Sequence, residues 1–372
     1  MHIWNPNITI AGQTAPSPGI MIRGAALNIN ASDVLVQHLR IRVGDDVDGP
    51  SPSNRDALKI ESTTGIKNIV IDHCSVSWAV DETLTLWDKW DNVTLSNNIV
   101  SEGLRESIKT TGQPAGYGIL VGPTEGKVSM SGNLLAHILE RNPLSRGKQF
   151  VFVNNVVYNR ANQDVDLQSE DGIVTNNSVV GNVFIRGADF ARENNKPILL
   201  RTDSTLGVPS GSKVYVSDNA AVESSTSDMW SVVSTNTSES LSSYKASSPP
   251  AWPAGLTALP TKNDTVLGKV LQNAGARPAD RDSVDKRVVQ SVRDRSGQII
   301  NCVSADGSER CSKNAGGWPS LAQNRRTLTL PSNPTAIGTT GYTKLEEWLH
   351  QKAAEVEGRT SSLPRPPVLN VN

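Results

Sequence analysis

Between residues 34 and 219 the chain repeats one device: a short run of alternating apolar residues that ends in a polar step, most often asparagine. The runs are 34–38, 68–73, 92–98, 127–133, 150–155, 172–177 and 213–219. Asn133 to Asn155 and Asn155 to Asn177 are both 22 residues apart, and His73 to Asn98 is 25. A lone strand of this kind cannot bury its apolar face, so the repeat is stable only when stacked on its neighbours. Its length suits one coil of a right-handed parallel β-helix, an all-β solenoid with one Asn-terminated strand marking each turn. Asparagines at equivalent bends can hydrogen-bond up and down the stack, satisfying groups that a tight bend would orphan. A leucine-rich repeat would need leucines at a spacing that is missing. A sandwich would need two-residue hairpins, and none separates these strands. Aromatic residues make up only 5 % of the chain, which with abundant Asn, Ser, Thr and Val fits many short strands and turns.

The intervals that exceed the period are informative in their own right. Extra residues must leave the solenoid as loops, where repeat folds carry their function. Insertions over 43–55 and 99–126 flank the coils bearing Asp56, Asp72 and Asp81, which places the expected cleft on one flank of the middle of the stack. Residues 1–222 therefore read as the β-helix and 223–372 as a C-terminal extension. The extension opens with a Ser/Thr-rich connector, 223–250, ending in Pro249-Pro250. Three helical signals follow: 264–274 before Gly275, 283–296 before Gly297, and 343–357. The last has a Thr343/Glu346 capping box and Gly358 just past its end. These helices are expected to pack on the outside of the solenoid.

Composition removes several function classes. A formal net charge of −1 argues against bulk electrostatic binding of nucleic acid. No apolar run approaches the ~20 residues of a membrane span. Cys302 and Cys311 bracket an Asp306-Gly307 turn and could close a small disulfide loop, which would imply an oxidising compartment; spacing alone does not decide it. Cys74 reads as a buried thiol. No basic segment followed by an apolar one precedes the first strand, 7–11, so an upstream segment is expected to have been removed or to be missing from the sequence. That abrupt first coil is expected to be exposed and able to pair with another chain, although the protein otherwise reads as a monomer.

Two constellations carry the chemistry. Arg141 and Arg146 straddle Pro143 between one strand signal and the next, so that both can face one cleft. Upstream stand Asn54-Arg55-Asp56, Asp72-His73-Cys74 and Asp81-Glu82. A cationic pair beside carboxylates on adjacent coils suits removal of a proton next to a sugar carboxylate that a metal ion has neutralised. Consecutive residues of a strand point to opposite faces, so only one of Asp81 and Glu82 is expected to be a direct metal ligand, preferably Asp81, unless a bulge intervenes. Asp72-His73 reads better as a buried structural pair, and Asp45, Asp46 and Asp48 as a solvated loop. Trp78, Trp87 and Trp90 could stack on sugar faces, although core packing suits Trp78 equally well.

From about residue 7 to 220 these motifs, together with Asn92-Val93-Thr94-Leu95-Ser96, resemble polysaccharide lyase family one, the pectate lyases. The segments 273–277 and 280–285 are similar to bacterial members with a C-terminal extension. The resemblance implies that Arg141 is the Brønsted base, that Arg146 binds the substrate carboxylate, and that Asp56 and Asp81 hold Ca²⁺ with Glu82 as a further participant. It implies cleavage of polygalacturonate, an acidic polysaccharide, by β-elimination in a secreted enzyme. The chain also departs from the family. Asn54 and Ser77 stand where acids are frequent. A lysine is usual near the turn at 117–122, where this chain has Tyr117; Lys109, earlier in the loop, and Tyr117 are the substrate-binding candidates. Those departures leave room for a lyase acting on another uronate polymer, such as alginate or a capsular polysaccharide, or for a non-catalytic polysaccharide-binding β-helix.

Overall fold

A computed structural model of the chain describes residues 1–53, 55–108, 114–191 and 195–363. The strands stack in parallel, coil upon coil, on three faces. The first face runs from Leu27–Ile29 through the opening halves of Leu58–Asp72, Glu82–Ser96 and Tyr117–Ser131, then Leu144–Val153, Val165–Leu167, Ile198–Leu200 and Val233–Thr235. The second includes Ile8–Ala11, Val34–Gln37, the closing halves of the same long strands, Asn176–Val180 and Lys213–Ser217. The third is a seven-stranded sheet from Ile20–Arg23 to Val183–Ile185. This is the parallel β-helix that the repeat requires. In the middle coils the first two faces merge into single 15-residue strands. These bend where the register shifts, as between Ser62 and Ile66.

Alternation decides what fills the interior. Ile60, Leu86 and Val121 point inward from the first face, and Ile71, Leu95 and Met130 from the second; each is fully buried or nearly so. Each such aliphatic side chain contributes about 1.5–3 kcal/mol on burial.

The turn between the second and third faces is a stacked corner. His73, Asn97, Gly132, Asn154, Gly181 and Asp218 all have positive φ there, a conformation that Gly, Asn and Asp tolerate best. The residues that follow form a ladder of Asn98, Asn133, Asn155, Asn182 and Asn219. Each side-chain oxygen accepts the backbone N–H of the ladder residue one coil earlier at 2.8–3.0 Å. Cys74 occupies the rung before Asn98; burial pushes its thiol up to about 12.

One rung differs from expectation. Asn177 is not on the ladder; it pairs opposite Phe150 within Asn176–Val180, and the rung is Asn182. The Asn176-Asn177 doublet resembles the true corner doublets Asn97-Asn98 and Asn154-Asn155. The preceding coil keeps Ser178, Val179 and Val180 in strand pairing opposite Val151, Phe152 and Val153, so the turn waits for Gly181. Similarly, much of the span 99–126 is strand, Ile99–Ser101 and the start of Tyr117–Ser131, not loop.

Parallel pairing continues past residue 222, where Val233–Thr235 joins Ile198–Leu200. The chain then returns along the outside. Helices α1 (Thr265–Asn273) and α2 (Ser283–Asp294) lay Val266, Val270, Val288 and Val292 against Leu134, Val156 and Tyr158 of the third sheet. Polar contacts follow α2 up the stack. Asp282 and Asp285 hold the buried Arg42 at 2.5 and 2.8 Å, Asp285 accepts from Ser75, Arg287 pairs with Glu102, Ser291 meets His137, and the Ser296 carbonyl accepts from Tyr158. Helix α3 (Lys344–Glu357) begins at the expected capping box and ends at Gly358 in the left-handed region. Between α2 and α3 a Cys302–Cys311 disulfide closes a small loop. Among the described residues no helix is long and apolar enough to cross a membrane.

Candidate active site

Asp56, Asp81 and Glu82 come together at the start of the first face. The carbonyl of Arg55 accepts the N–H of Val80 at 3.2 Å and that of Asp81 at 3.4 Å, locking the loop before one coil to the loop before the next. All three carboxylates are buried, and one oxygen of each lies within 4.8 Å of the others. The Arg55 guanidinium turns away to the carbonyl of Asp46, so it does not neutralise them.

Asp81 and Glu82 reach the same cluster, against the expectation that strand alternation would separate them. Glu82 is the first strand residue and Asp81 lies in the bend before it, so the two-residue period has not begun. Crowding like charges out of water makes ionisation costly. Burial pushes the Asp56 carboxyl up to about 6 despite Lys59, whose Nζ stands 3.9 Å away. Burial, then the Asp81 charge, pushes Glu82 up to about 7 against the pull of Arg141.

Arg141 approaches from two coils further on. Its guanidinium donates to Glu82 and lies 4.0 Å over the ring of Tyr117, in a cation–π contact. Tyr117, a substrate-binding candidate by sequence, stands under the arginine, with its hydroxyl donating to the Pro114 carbonyl. The Arg141 backbone has φ 63°, and its carbonyl accepts from Ile119 at 2.7 Å. That close approach needs Gly118: a Cβ there would lie 2.3 Å from the Arg141 oxygen.

Arg146 is held separately, by Gln168 at 3.0 Å and Glu170 at 2.6 Å in the following coil. The Arg146 side chain remains 17 % exposed. Lys109 and Asn54 lie outside the described residues.

Lys59, Gln168 and Glu170 were not singled out by sequence. Lys59 could have been found from its position three residues beyond Asp56 on the strand face that alternation turns outward. Nothing local marks Gln168 and Glu170, which meet Arg146 only through the coil register. Trp78 is fully buried, donating to Glu102 and packed edge-on against Trp318, so it belongs to the core. Trp87 and Trp90 line a groove of about 800 Å³ where the first face bends into the second, and none of the three clustered acids lines it. Asp72 and His73 are hydrogen-bonded to each other at 2.9 Å at the corner, away from this site, as a structural pair would be.

No protein-family model matches the chain. In sequence it is similar to proteins named probable pectate lyase C. The protein from Aspergillus flavus is 36 % identical over 183 residues, 49 % of this chain and 40 % of the relative. That from Aspergillus fumigatus is 34 % identical over 181 residues, 48 % and 39 %. The similarity thus spans about two fifths of the length of these relatives. Among solved structures, pectate lyase II from Xanthomonas campestris is 16 % identical over 70 % of this chain and 78 % of its own, with a TM-score of 0.44. A pectate lyase bound to hexasaccharide is 15 % identical over 69 % and 65 %, also at 0.44.

Proposed function

We propose that this chain, related through about half its length to proteins named probable pectate lyases, cleaves polygalacturonate by β-elimination. The observation that carries the reading is the buried meeting of Asp56, Asp81 and Glu82 with the Arg141 guanidinium.

The acids fit a calcium ion. They offer several hard oxygens on adjacent coils, and Asp56 Oδ1 is buried without a hydrogen-bond partner. Bound there, Ca²⁺ would neutralise the uronate carboxylate, acidify the neighbouring C5–H and stabilise the charge that develops on its loss. The chain's own residues do the rest. Arg146, braced by Gln168 and Glu170 and partly exposed, is the hydrogen-bond donor for a substrate carboxylate. Arg141, fixed by the Tyr117 ring and its own backbone, accepts the C5 proton. The electron pair of that C–H bond forms the C4=C5 double bond as the C4–O bond breaks. The departing oxygen takes a proton from water. The guanidinium cation cannot accept a proton and only the neutral guanidine can, so turnover should rise toward alkaline pH.

The Cys302–Cys311 bridge favours a secreted protein. The test is the ultraviolet absorbance of 4,5-unsaturated ends released from polygalacturonate at alkaline pH. Absorbance should rise with Ca²⁺, stop with a chelator, and nearly vanish in Arg141→Lys while the fold persists. Turnover of alginate but not polygalacturonate would redirect the substrate. Binding without any absorbance change would overturn the enzymatic reading.

A further inference from the structure

We propose that His38, His73 and Glu357 form a binding site for one zinc-class divalent transition metal ion, which clamps helix α3 onto the solenoid. The site is distinct from the acid cluster: it lies at the corner between the second and third faces, beneath the C-terminal end of α3.

The two histidines occupy the positive-φ corner position in successive coils, with φ of 57° and 48°. Their rings stack with centroids 5.3 Å apart and planes within 19°. In each ring Nδ1 is already committed. His38 Nδ1 lies 2.8 Å from the carbonyl of Ala276, and His73 Nδ1 lies 2.9 Å from Asp72 Oδ2. Both partners can only accept from it, so each Nδ1 carries a hydrogen, and a ring in its neutral form presents its lone pair at Nε2. Both Nε2 atoms lie near one carboxylate: His38 Nε2 is 3.4 Å from Glu357 Oε1 and His73 Nε2 is 3.8 Å from Oε2.

A cation between the groups would satisfy this arrangement. His38 is fully buried, and its Nε2 has no hydrogen-bond partner. Protonating both rings would set two positive charges face to face, whereas one metal ion serves both nitrogens and the carboxylate. Tetrahedral zinc bonded to nitrogen and oxygen at ~2.0–2.1 Å places its ligand atoms about 3.4 Å apart. The His38–Glu357 spacing matches; on the His73 side the nitrogen must close by a few tenths of an ångström and the ring must tilt out of the stack so that both in-plane lone pairs meet one ion.

The surroundings are those of a metal site. A carbonyl and a carboxylate orient the rings through Nδ1, as the outer partners of ligating histidines do. Asp72 is itself held by Ser96 at 2.7 Å and Gln37 at 3.0 Å. Two imidazoles and a carboxylate leave a fourth position for water and select zinc over calcium. Glu357 is the last residue of α3, where the helix dipole favours a cation. Arg359 also pairs with Glu357 and is the cation a metal ion must share it with. Helix α3 buries little besides Ala353, Ala354 and Val356, so a metal cross-link would be a main anchor.

The test uses the full chain, stripped of metal and held in excess Ca²⁺ so that the acid cluster does not compete for added Zn²⁺ or Co²⁺. One Zn²⁺ should bind per chain and raise the melting temperature by a few degrees, and Co²⁺ should give the visible absorption of a tetrahedral imidazole site. Glu357→Gln, and His38→Asn at a corner that asparagine tolerates elsewhere, should each weaken Zn²⁺ binding by about a hundredfold, the upper end of what loss of even an outer partner costs. Should His38→Asn not fold, Glu357→Gln at the helix end carries the test. Absence of Zn²⁺ binding by the unmodified chain, or equal Zn²⁺ affinity in Glu357→Gln, would overturn the proposal.

Discussion

Removing a rung of the asparagine ladder should cost stability in proportion to the buried donors it strands, and two rungs differ in that number. Asn155 Oδ1 accepts both the backbone N–H and the side-chain Nδ2–H of Asn133, each at 2.9 Å. Asn98 Oδ1 accepts only the backbone N–H of Cys74, because the rung before it carries a thiol and no amide. Each side-chain amide also donates to a carbonyl of the preceding coil, Met130 or Ile71, and to the oxygen of the next rung. Those losses are common to both and cancel in a comparison. A buried group left unsatisfied costs about 1–3 kcal/mol. Asn155→Ala strands two donors and Asn98→Ala one, so the first should be the more destabilising by about 1–3 kcal/mol. Equilibrium unfolding in guanidinium, with an unchanged slope against denaturant, measures the difference. Equal losses, or a larger loss in Asn98→Ala, would refute the accounting and point to water filling the vacated rung.

Gly118→Ala should displace Arg141, because the added methyl meets the Arg141 carbonyl at 2.3 Å. Turnover on polygalacturonate should fall at least tenfold with little change in far-ultraviolet circular dichroism, while unchanged turnover would show that Arg141 needs no such placement. Burial pushes the Asp164 carboxyl up to about 7 against the Arg160 guanidinium. A folded-state value above the ordinary one means that its contribution is complete below pH ~4 and lost as pH climbs through about 7. Asp164→Asn should therefore flatten the fall in melting temperature across that window, and a parallel, shifted curve would contradict it. Reducing Cys302–Cys311, a bridge spanning nine residues, should cost about 2–3 kcal/mol from the entropy of the reopened loop, read from unfolding with and without reductant.

What could be read from the sequence divides along the range of the interaction. The capping box of α3 was legible because Thr343 and Glu346 meet within one turn. The solenoid was legible because its corner residues must solve the same backbone problem in every coil. Asn177 was misplaced because a doublet of asparagines does not say where the neighbouring coil stops pairing; only the register against Phe150 decides that. The three acids could be named, but their convergence rests on the Arg55 carbonyl bridging two loops. The brace of Arg146 by Glu170 was invisible, since it joins residues 24 apart that carry no shared local signal. The pairing of His38 with Glu357 spans most of the chain.

A stack whose layers touch only their nearest neighbours ought to fray from either end, shedding one turn at a time. Here the return segment acts as a bolt through the pile: from Asp282 to Ser296 it is fastened in succession to residues 42, 75, 102, 137 and 158. Loosening any one of these five layers then strains a rod shared by them all, so protection of their amides from exchange should be lost in one cooperative event, not as a gradient from the tips.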